Sequence, residues 1–434
     1  MLTLLTTVAI VVVGAYFVIR RVDVRLVLTV CAAALFAMAG QFAQLFVFVA
    51  KEMANDKTVV PICSAMGFAY VVKLTGCDRH LITLLLEPLR YVRALLIPGG
   101  VAVAFTINTT IVSQSSTAAT VGPVMVPLLL AANLSVTTAG SLLLLGASVG
   151  GELFNPGAVE IVTLSTLTGQ PSTEIVRRVM PANLIASGVA VLVFWWMALA
   201  RARQKPAASA DAAAATEMPV VGDPFRVNFF KAAVPILPLV LLFTIPRFVT
   251  LPAELTNSVM IAAAMLAGVT AAGLAARGLV GEIPKAFFEG AGFGYTHVIS
   301  LIVTATIFTE GIKANGLIEA LANALSGQPL AATVASVVLP MALAAATGSG
   351  IAPAVAVINV LVPIADLMHL DPVRLGAFSA VAAQLGRTMS PAAAVVMMSA
   401  AVSGAQPLDL VRRVVPPLLA GAAALLLAAA VGIV

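Results

Sequence analysis

What most constrains this chain is that its apolar residues come in uninterrupted blocks of bilayer length. Neither Leu2 to Ile19 nor Ser258 to Ala276 contains a charged residue. A hydrocarbon core asks for about 20 apolar residues per helix, and it accepts only segments that satisfy their own backbone N–H and C=O groups. Of 434 residues, 61% are hydrophobic and 10% charged, and the mean hydropathy is +1.07, values that fit no soluble class. With loops and one polar stretch set aside, the chain has room for roughly ten spans. The blocks show no period of two, which excludes an outer-membrane barrel with its alternating strands. The expected class is an all-α polytopic membrane protein.

Lys and Arg number 24 against 19 Asp and Glu, a formal charge of +5, and in a membrane protein such a surplus usually sits in cytoplasmic loops. The basic residues stand in ones and twos at the ends of apolar runs. No basic stripe is interleaved with aromatics, so nucleic acid is excluded as a partner. Cys31, Cys63 and Cys77 lie in or beside apolar segments without CxxC spacing and read as buried thiols. Met1 to Ile19 has no basic residue before its apolar run and no small-residue cleavage site after it, so it reads as a first retained span.

From Arg201 to Asp223 the sequence turns rich in Ala, Pro and charge and reads as a loop. It divides the chain into a first transmembrane repeat (1–200), a polar linker (201–225) and a second repeat (226–434). Val176-Arg177-Arg178-Val179-Met180-Pro181 recurs as Val411-Arg412-Arg413-Val414-Val415-Pro416. The same offset relates Gly151 to Gly386 and Pro156 to Pro391. Ser113 and Pro127 meet Ser349 and Pro363 one residue further on, and Lys73 and Gly76 meet Lys313 and Gly316 after a few loop residues. Ordered matches over this distance indicate duplication. A duplicated half with an odd number of spans inserts in the opposite sense, the inverted-repeat plan of many secondary transporters.

Three kinds of segment follow. Long apolar helices are expected over Leu2–Ile19, Val24–Ala50, Ala182–Leu199, Ala232–Ile245 and Ser258–Ala276 as a frame. Short amphipathic helices are expected over Asp78–Leu95 and Leu317–Leu325. The informative segments are those that should span but are broken. In Thr106–Thr120, ten of fifteen residues are Thr, Ser, Asn or Gln; its counterpart, Ala346–Pro353, holds two glycines and a proline that forbid a regular helix. Both read as tips of hairpins that enter the membrane part-way, because non-helical backbone survives at that depth only against protein or a water-filled cavity. Thr and Ser can also bond within their own helix, yet two such segments at matching places favour binding. With helices expected from Val121 and Ala354 onward, their N-terminal N–H groups would favour an anion.

A second pair of breaks is Gly150–Gly157 and Gln384–Pro391, each with Pro a few residues after Gly. Glu152, Glu160 and Arg387 are costly in lipid and must face the interior. Arg387 either clamps a carboxylate with its bidentate fork or pairs internally with Glu152 or Glu160. Other ionisable residues, among them Lys73, Glu87, Glu289, Glu310 and Lys313, stand at membrane borders where snorkelling explains them. His297 reads as a structural imidazole more readily than a proton relay, and His80 and His369 as loop residues. No nucleotide-binding, nucleophile or metal motif appears, so the chain is expected not to be an enzyme and its transport to run on gradients or exchange.

Ala346-Thr347-Gly348-Ser349-Gly350-Ile351-Ala352-Pro353, then Leu385-Gly386-Arg387-Thr388-Met389-Ser390-Pro391, then Arg412-Arg413-Val414-Val415-Pro416 resemble the C-type anaerobic four-carbon dicarboxylate transporter family, DcuC-like. Gly67-Phe68-Ala69-Tyr70, Pro88-Leu89-Arg90-Tyr91 and the first tip extend the resemblance over most of the chain. It implies the ion-transporter superfamily fold: two inverted-topology repeats, each with scaffold helices, a re-entrant helical hairpin and a broken transmembrane helix. It also implies uptake, efflux or exchange of succinate, fumarate or malate at a bacterial inner membrane.

The expected substrate-binding residues are Ser113, Gln114, Ser115, Ser116 and Thr117 of the first tip, and Thr347, Gly348, Ser349 and Gly350 of the second. Asn155, Arg387, Thr388 and Ser390 of the breaks complete them. Glu152 and Glu160 are expected as coupling groups or internal partners. No metal or cofactor is expected, beyond a coupling Na+ or H+ that stays open. The expected partners are a small organic anion and the lipid bilayer, with a homodimer as the assembly. The first tip is more polar than the Ser-Ser-Ala-Thr-Gly-type run of these carriers, and Gly157-Ala158-Val159-Glu160 replaces a Ser-Gly-Asp-like sequence, which leaves the cargo open. The Ser-Asn-Thr tips of related sodium-coupled carriers are absent, so sodium coupling is unsupported. Alternatives are a carrier of a monocarboxylate, sugar acid or tricarboxylate on the same fold, or an anion channel.

Overall fold

The computed structural model describes residues 2–20, 22–91, 96–204, 225–248, 257–318, 320, 323 and 328–434. Most of the polar linker and much of the Leu317–Leu325 segment therefore lie outside the described residues, as do the last four residues of Asp78–Leu95. Every regular element described is helical.

The first half opens with α1 (Leu2–Ile19), α2 (Val24–Met38), α3 (Phe42–Met53), α4 (Asp56–Thr75) and α5 (Cys77–Leu86). The expected single helix from Val24 to Ala50 is two: Gly40, at φ +69°, turns the chain between them, a conformation open to glycine because it has no Cβ. Asn55 starts α4 by accepting the Lys57 N–H, and Gly76 ends it in the left-handed region.

Helices α6 (Leu96–Ile111) and α7 (Gln114–Ala131) are separated by only Val112 and Ser113. This corrects the expectation of a helix from Val121: the polar run Gln114–Thr117 is the first turn of α7. Thr106, Thr109, Thr117 and Thr120 each donate to the carbonyl four residues back, so these threonines are compatible with helix rather than evidence against it. Next, α8 (Val136–Ser148) gives way to a 3-10 turn at Gly151–Phe154 before α9 (Val159–Thr168), and α10 (Ser172–Gln204) closes the half.

The second half begins with α11 (Phe229–Ala233), α12 (Leu237–Phe248) and α13 (Asn257–Ala275), then α14 (Ile283–Gly294) and α15 (Ser300–Ala314), which a π turn at Tyr295–Ile299 joins. Gly348–Gly350 separate α16 (Pro329–Thr347) from α17 (Ile351–Leu361), so this helix too starts before the expected Ala354. Helix α18 (Pro372–Thr388) runs through Gln384, Gly386 and Arg387; the break expected to begin at Gln384 begins at Met389, where Ser390-Pro391 stops the helix. Helices α19 (Ala394–Ser403) and α20 (Pro407–Val431) complete the chain.

Among the described residues, eight helical stretches are long and apolar enough to cross a membrane, and five shorter apolar helices accompany them. One continuous core joins α6–α10 to α16–α20. Within it α10 packs on α20, α8 on α20, α18 on α10, α7 on α19 and α9 on α17. A Cβ at Gly386 would collide with the Met341 carbonyl, and one at Gly421 with the Ala186 carbonyl. Such approaches matter in lipid, where close packing rather than hydrophobic drive holds helices together. Two polar latches cross between the halves. Arg178 of α10 pairs with Asp371 at the start of α18, and Arg413 of α20 donates to Thr138 in the first turn of α8.

Candidate functional site

The site grows out of the ends of α8 and α18. After Ser148 the chain reaches Gly150, held at φ +102°, a backbone that only glycine adopts easily. Asn183 of α10 fixes it with a 2.7 Å bond from its amide to the Gly150 carbonyl. The following 3-10 turn presents Glu152. Asn108 Oδ1 accepts the Glu152 N–H at 2.9 Å, Thr109 Oγ1 donates to the Gly151 carbonyl at 3.0 Å, and the Asn155 amide donates to the Thr109 carbonyl at 2.9 Å. The polar residues at the end of α6 thus stitch the first turn tip to the first broken helix.

Arg387, in the last turn of α18, reaches across to this turn. Its Nη1 and Nη2 lie 3.3 and 3.2 Å from Glu152 Oε1. Nη2 also donates to the Ser148 carbonyl at 3.0 Å, and Nε to Ser148 Oγ at 3.3 Å. Both partners of the ion pair are buried, at 6% and 2% side-chain exposure. Breaking such a pair from one side costs roughly 3–5 kcal/mol because the remaining charge is stranded. Glu152 Oε1 accepts a further bond from the Gln114 amide of the first tip. On the other flank, a Cβ on Gly350 of the second tip would lie 2.8 Å from Arg387 Nη1. Gln114, Glu152, Arg387 and Gly350 therefore form one chain of contacts that joins the two tips through the ion pair.

The remaining expected residues fall into two groups. Ser113, Ser115 and Ser116 of the first tip and Thr347, Gly348 and Ser349 of the second are half-buried. Ser113 Oγ donates to Ser116 Oγ at 3.0 Å, and Thr347 Oγ1 accepts the Ser349 N–H at 3.3 Å. Neither helix that starts at a tip has a side-chain cap, which leaves their first N–H groups open to an anion. By contrast, Thr117, Asn155, Glu160, Thr388 and Ser390 are buried. Thr117 donates to the Ser113 carbonyl at 2.9 Å. Asn155 accepts the Gly157 N–H at 2.9 Å, and Thr388 donates to the Gln384 carbonyl at 2.7 Å while Ser148 Oγ lies 2.7 Å from its Oγ1. Glu160 accepts the Gln384 amide at 2.7 Å.

Five residues whose side chains build this framework were not in the expected set: Ser148, Asn108, Thr109, Gln384 and Asn183. Gln384 sits one turn before Arg387, and Ser148 two residues before Gly150, so spacing alone pointed toward both. Asn108 lay within the polar stretch, whereas nothing marked Asn183. His297 is exposed and stacks on Phe293 with ring centroids 4.1 Å apart, and no described carboxylate bonds to it. Among the described residues no group of His, Cys, Asp and Glu forms a metal site. A cavity of about 290 Å³ lies between α1, α2, α15, α16 and α17. It is lined almost wholly by aliphatic side chains and touches the second tip at Thr347, so a dianion placed there would find no partners for its charge.

Residues 47–434 match the profile described as DcuC: C4-dicarboxylate anaerobic carrier. The chain belongs to this carrier family. A Haemophilus influenzae protein described as a putative uncharacterized transporter is 27% identical over 268 residues, 61% of this chain and 95% of its own. The probable anaerobic C4-dicarboxylate transporter DcuC of Vibrio cholerae is 25% identical over 367 residues, 82% of this chain and 77% of its own. The anaerobic C4-dicarboxylate transporter DcuC of Escherichia coli K12 is 30% identical over 137 residues, 31% and 30%. As a member of the C4-dicarboxylate carrier family, the chain is a multi-pass bacterial membrane transporter and not an enzyme.

Proposed function

We propose that this carrier moves four-carbon dicarboxylates such as succinate, fumarate or malate by alternating access, and binds them between the two turn tips. The observation that carries the reading is the contact chain from Gln114 through Glu152 and Arg387 to Gly350. It brings two uncapped helix starts, with half-buried hydroxyls at Ser115 and Ser349, to one buried polar centre. A dicarboxylate has an anionic group at each end, and each tip offers N–H groups and hydroxyls for one of them. Arg387 spends most of its fork on Glu152 and Ser148, so we assign it chiefly to the internal pair, with its Nη1 edge left beside the second tip.

We read α6–α10 and α16–α20 as inverted repeats and each pair of helices at a tip as a re-entrant hairpin. The packing supports this. α8 meets α20 as α18 meets α10, and the second Arg of each Arg-Arg pair latches the opposite broken helix at its start. Glu152 and Arg387 also stand at the offset that relates Gly151 to Gly386, so the ion pair joins equivalent positions across the repeat axis.

Thermal-shift and calorimetric titration of the purified protein with mono-, di- and tricarboxylates tests the cargo. Ser115→Ala and Ser349→Ala should each weaken succinate binding on the order of 10- to 100-fold, the worth of one hydrogen bond to a charged group, with the ligand-free melting temperature unchanged. Unaltered affinity in both variants would remove the tips from the site. Counterflow in liposomes separates a carrier from an anion channel, because only a carrier shows stimulation by substrate on the far side.

A further inference from the structure

The Glu160–Gln384 pair is buried beside the site and has no role in holding the tips. Glu160 stands in the first turn of α9 at 2% exposure and accepts the amide nitrogen of Gln384, itself fully buried. The other end of that amide, Gln384 Oε1, has no hydrogen-bond partner and lies 3.1 Å from where a Cβ on Gly350 would stand. Glu152 Oε2 is likewise buried without a partner. Two carboxylates and one guanidinium leave this cluster with one negative charge in excess, an awkward host for a dianion.

The surrounding helices do not supply a compensating charge. The charged groups that act on Glu160 are Glu152 and Arg387. Helix α4 carries Asp56, Lys57 and Lys73, and α10 carries Glu174, Arg177, Arg178, Arg201 and Arg203, all within two turns of a helix end, while α17 carries none. The other charge on α18, Arg374, lies near its start and donates to the Ala429 carbonyl.

A primary amide has a donor end and an acceptor end, and what it faces decides which way it turns. Opposite an ionised Glu160, Gln384 must present its N–H, which leaves its carbonyl oxygen toward the second tip, where it repels a carboxylate. Opposite a protonated Glu160, it accepts the carboxyl O–H and turns its NH2 toward the tip, where it donates to a carboxylate. The same proton cancels the excess charge. We propose that Glu160 is the proton-coupling residue of this carrier and that Gln384 is the relay through which proton and dicarboxylate favour each other's binding. The proton taken up by the Glu160 carboxylate leaves it again on the side where substrate is released. This inference rests on the tip site proposed above.

Fumarate is a suitable probe because it is fully ionised at neutral pH and brings no proton of its own. Calorimetry of the unmodified protein in two buffers of different ionisation enthalpy, repeated from neutral pH upward, should show proton uptake on fumarate binding that approaches one proton per fumarate at the alkaline end, where Glu160 of the ligand-free protein is ionised. Fumarate binding without proton uptake overturns this inference and leaves the tip site standing; no fumarate binding overturns the dicarboxylate reading and this inference with it. In liposomes, Glu160→Gln should lose fumarate accumulation driven by a pH gradient while counterflow persists. A Glu160→Gln variant that accumulates fumarate like the unmodified protein would also overturn it. Should that variant fail to fold, the calorimetry on the unmodified protein still decides.

Discussion

At the scale of single residues, the Arg387–Glu152 pair concentrates the most energy in the fewest atoms. With both side chains buried, Arg387→Met or Glu152→Gln alone leaves the partner without its counter-charge, at a cost of roughly 3–5 kcal/mol for the stranded charge. Because the two changes remove one shared interaction, the double variant should be more stable than the sum of the singles by about 1 kcal/mol or more. Melting temperatures of the four proteins give this coupling directly, and strictly additive losses would contradict it. The residue types at this centre were legible in the sequence because a charge inside a span has to be explained by a partner. The choice of partner was not. Arg387 had two carboxylates to choose between, and which one it takes depends on the positive φ of Gly150, which aims the following turn and leaves no trace in hydropathy.

The scale of elements shows what a polar stretch does and does not say. Thr106–Thr120 was readable as a break, but hydroxyls that bond back within their own helix shrink it to Val112 and Ser113. The long block from Val24 hid a break instead, because one glycine in the left-handed region costs a helix without changing its apolarity. Where helices touch backbone to backbone, side chains have no room: Gly386→Ala on α18 would press its methyl into the Met341 carbonyl of α16 and should cost at least 1–3 kcal/mol by overpacking, about the usual range. A melting temperature equal to that of the unmodified protein would show that these helices separate freely. Helix α5, outside the eight spans, carries a different signal. Burial raises the Asp78 carboxyl to about 6, against opposing bonds from the Arg79 and Asp78 N–H groups and the nearby Lys73 charge. A carboxyl raised in the folded state favours folding below its unfolded value, and that contribution is lost as pH rises through about 6. Stability should therefore fall between pH ~4 and pH ~7 by an amount on the order of 2 kcal/mol, and Asp78→Asn should flatten this part of the profile. Thermal melts across that range check it, and an equally steep profile in Asp78→Asn would assign the slope to another group.

For the whole molecule, the two-repeat reading proposed above rests on recurring spacing in the sequence: the Arg-Arg pairs at 177–178 and 412–413 recur in order with the glycines and prolines of the breaks. How the halves meet was not legible, since the crossing contacts join residues of unlike type, Arg178 to Asp371 and Arg413 to Thr138. If the repeats are inverted, these two latches lie near opposite membrane faces. Cysteines placed at the exposed positions Arg177 and Arg412, in a protein with Cys31, Cys63 and Cys77 replaced, should react with an impermeant thiol reagent from opposite sides of the membrane. Reaction from one side would make the repeats parallel. The central ion pair adds a historical consequence. Two copies of the first half would set Glu152 against Glu152, and two copies of the second would set Arg387 against Arg387; only the mixed pairing is neutral. If the halves do descend from one duplicated unit, opposite charges at these two positions make each half the complement of the other, and neither half doubled on its own would keep the centre neutral.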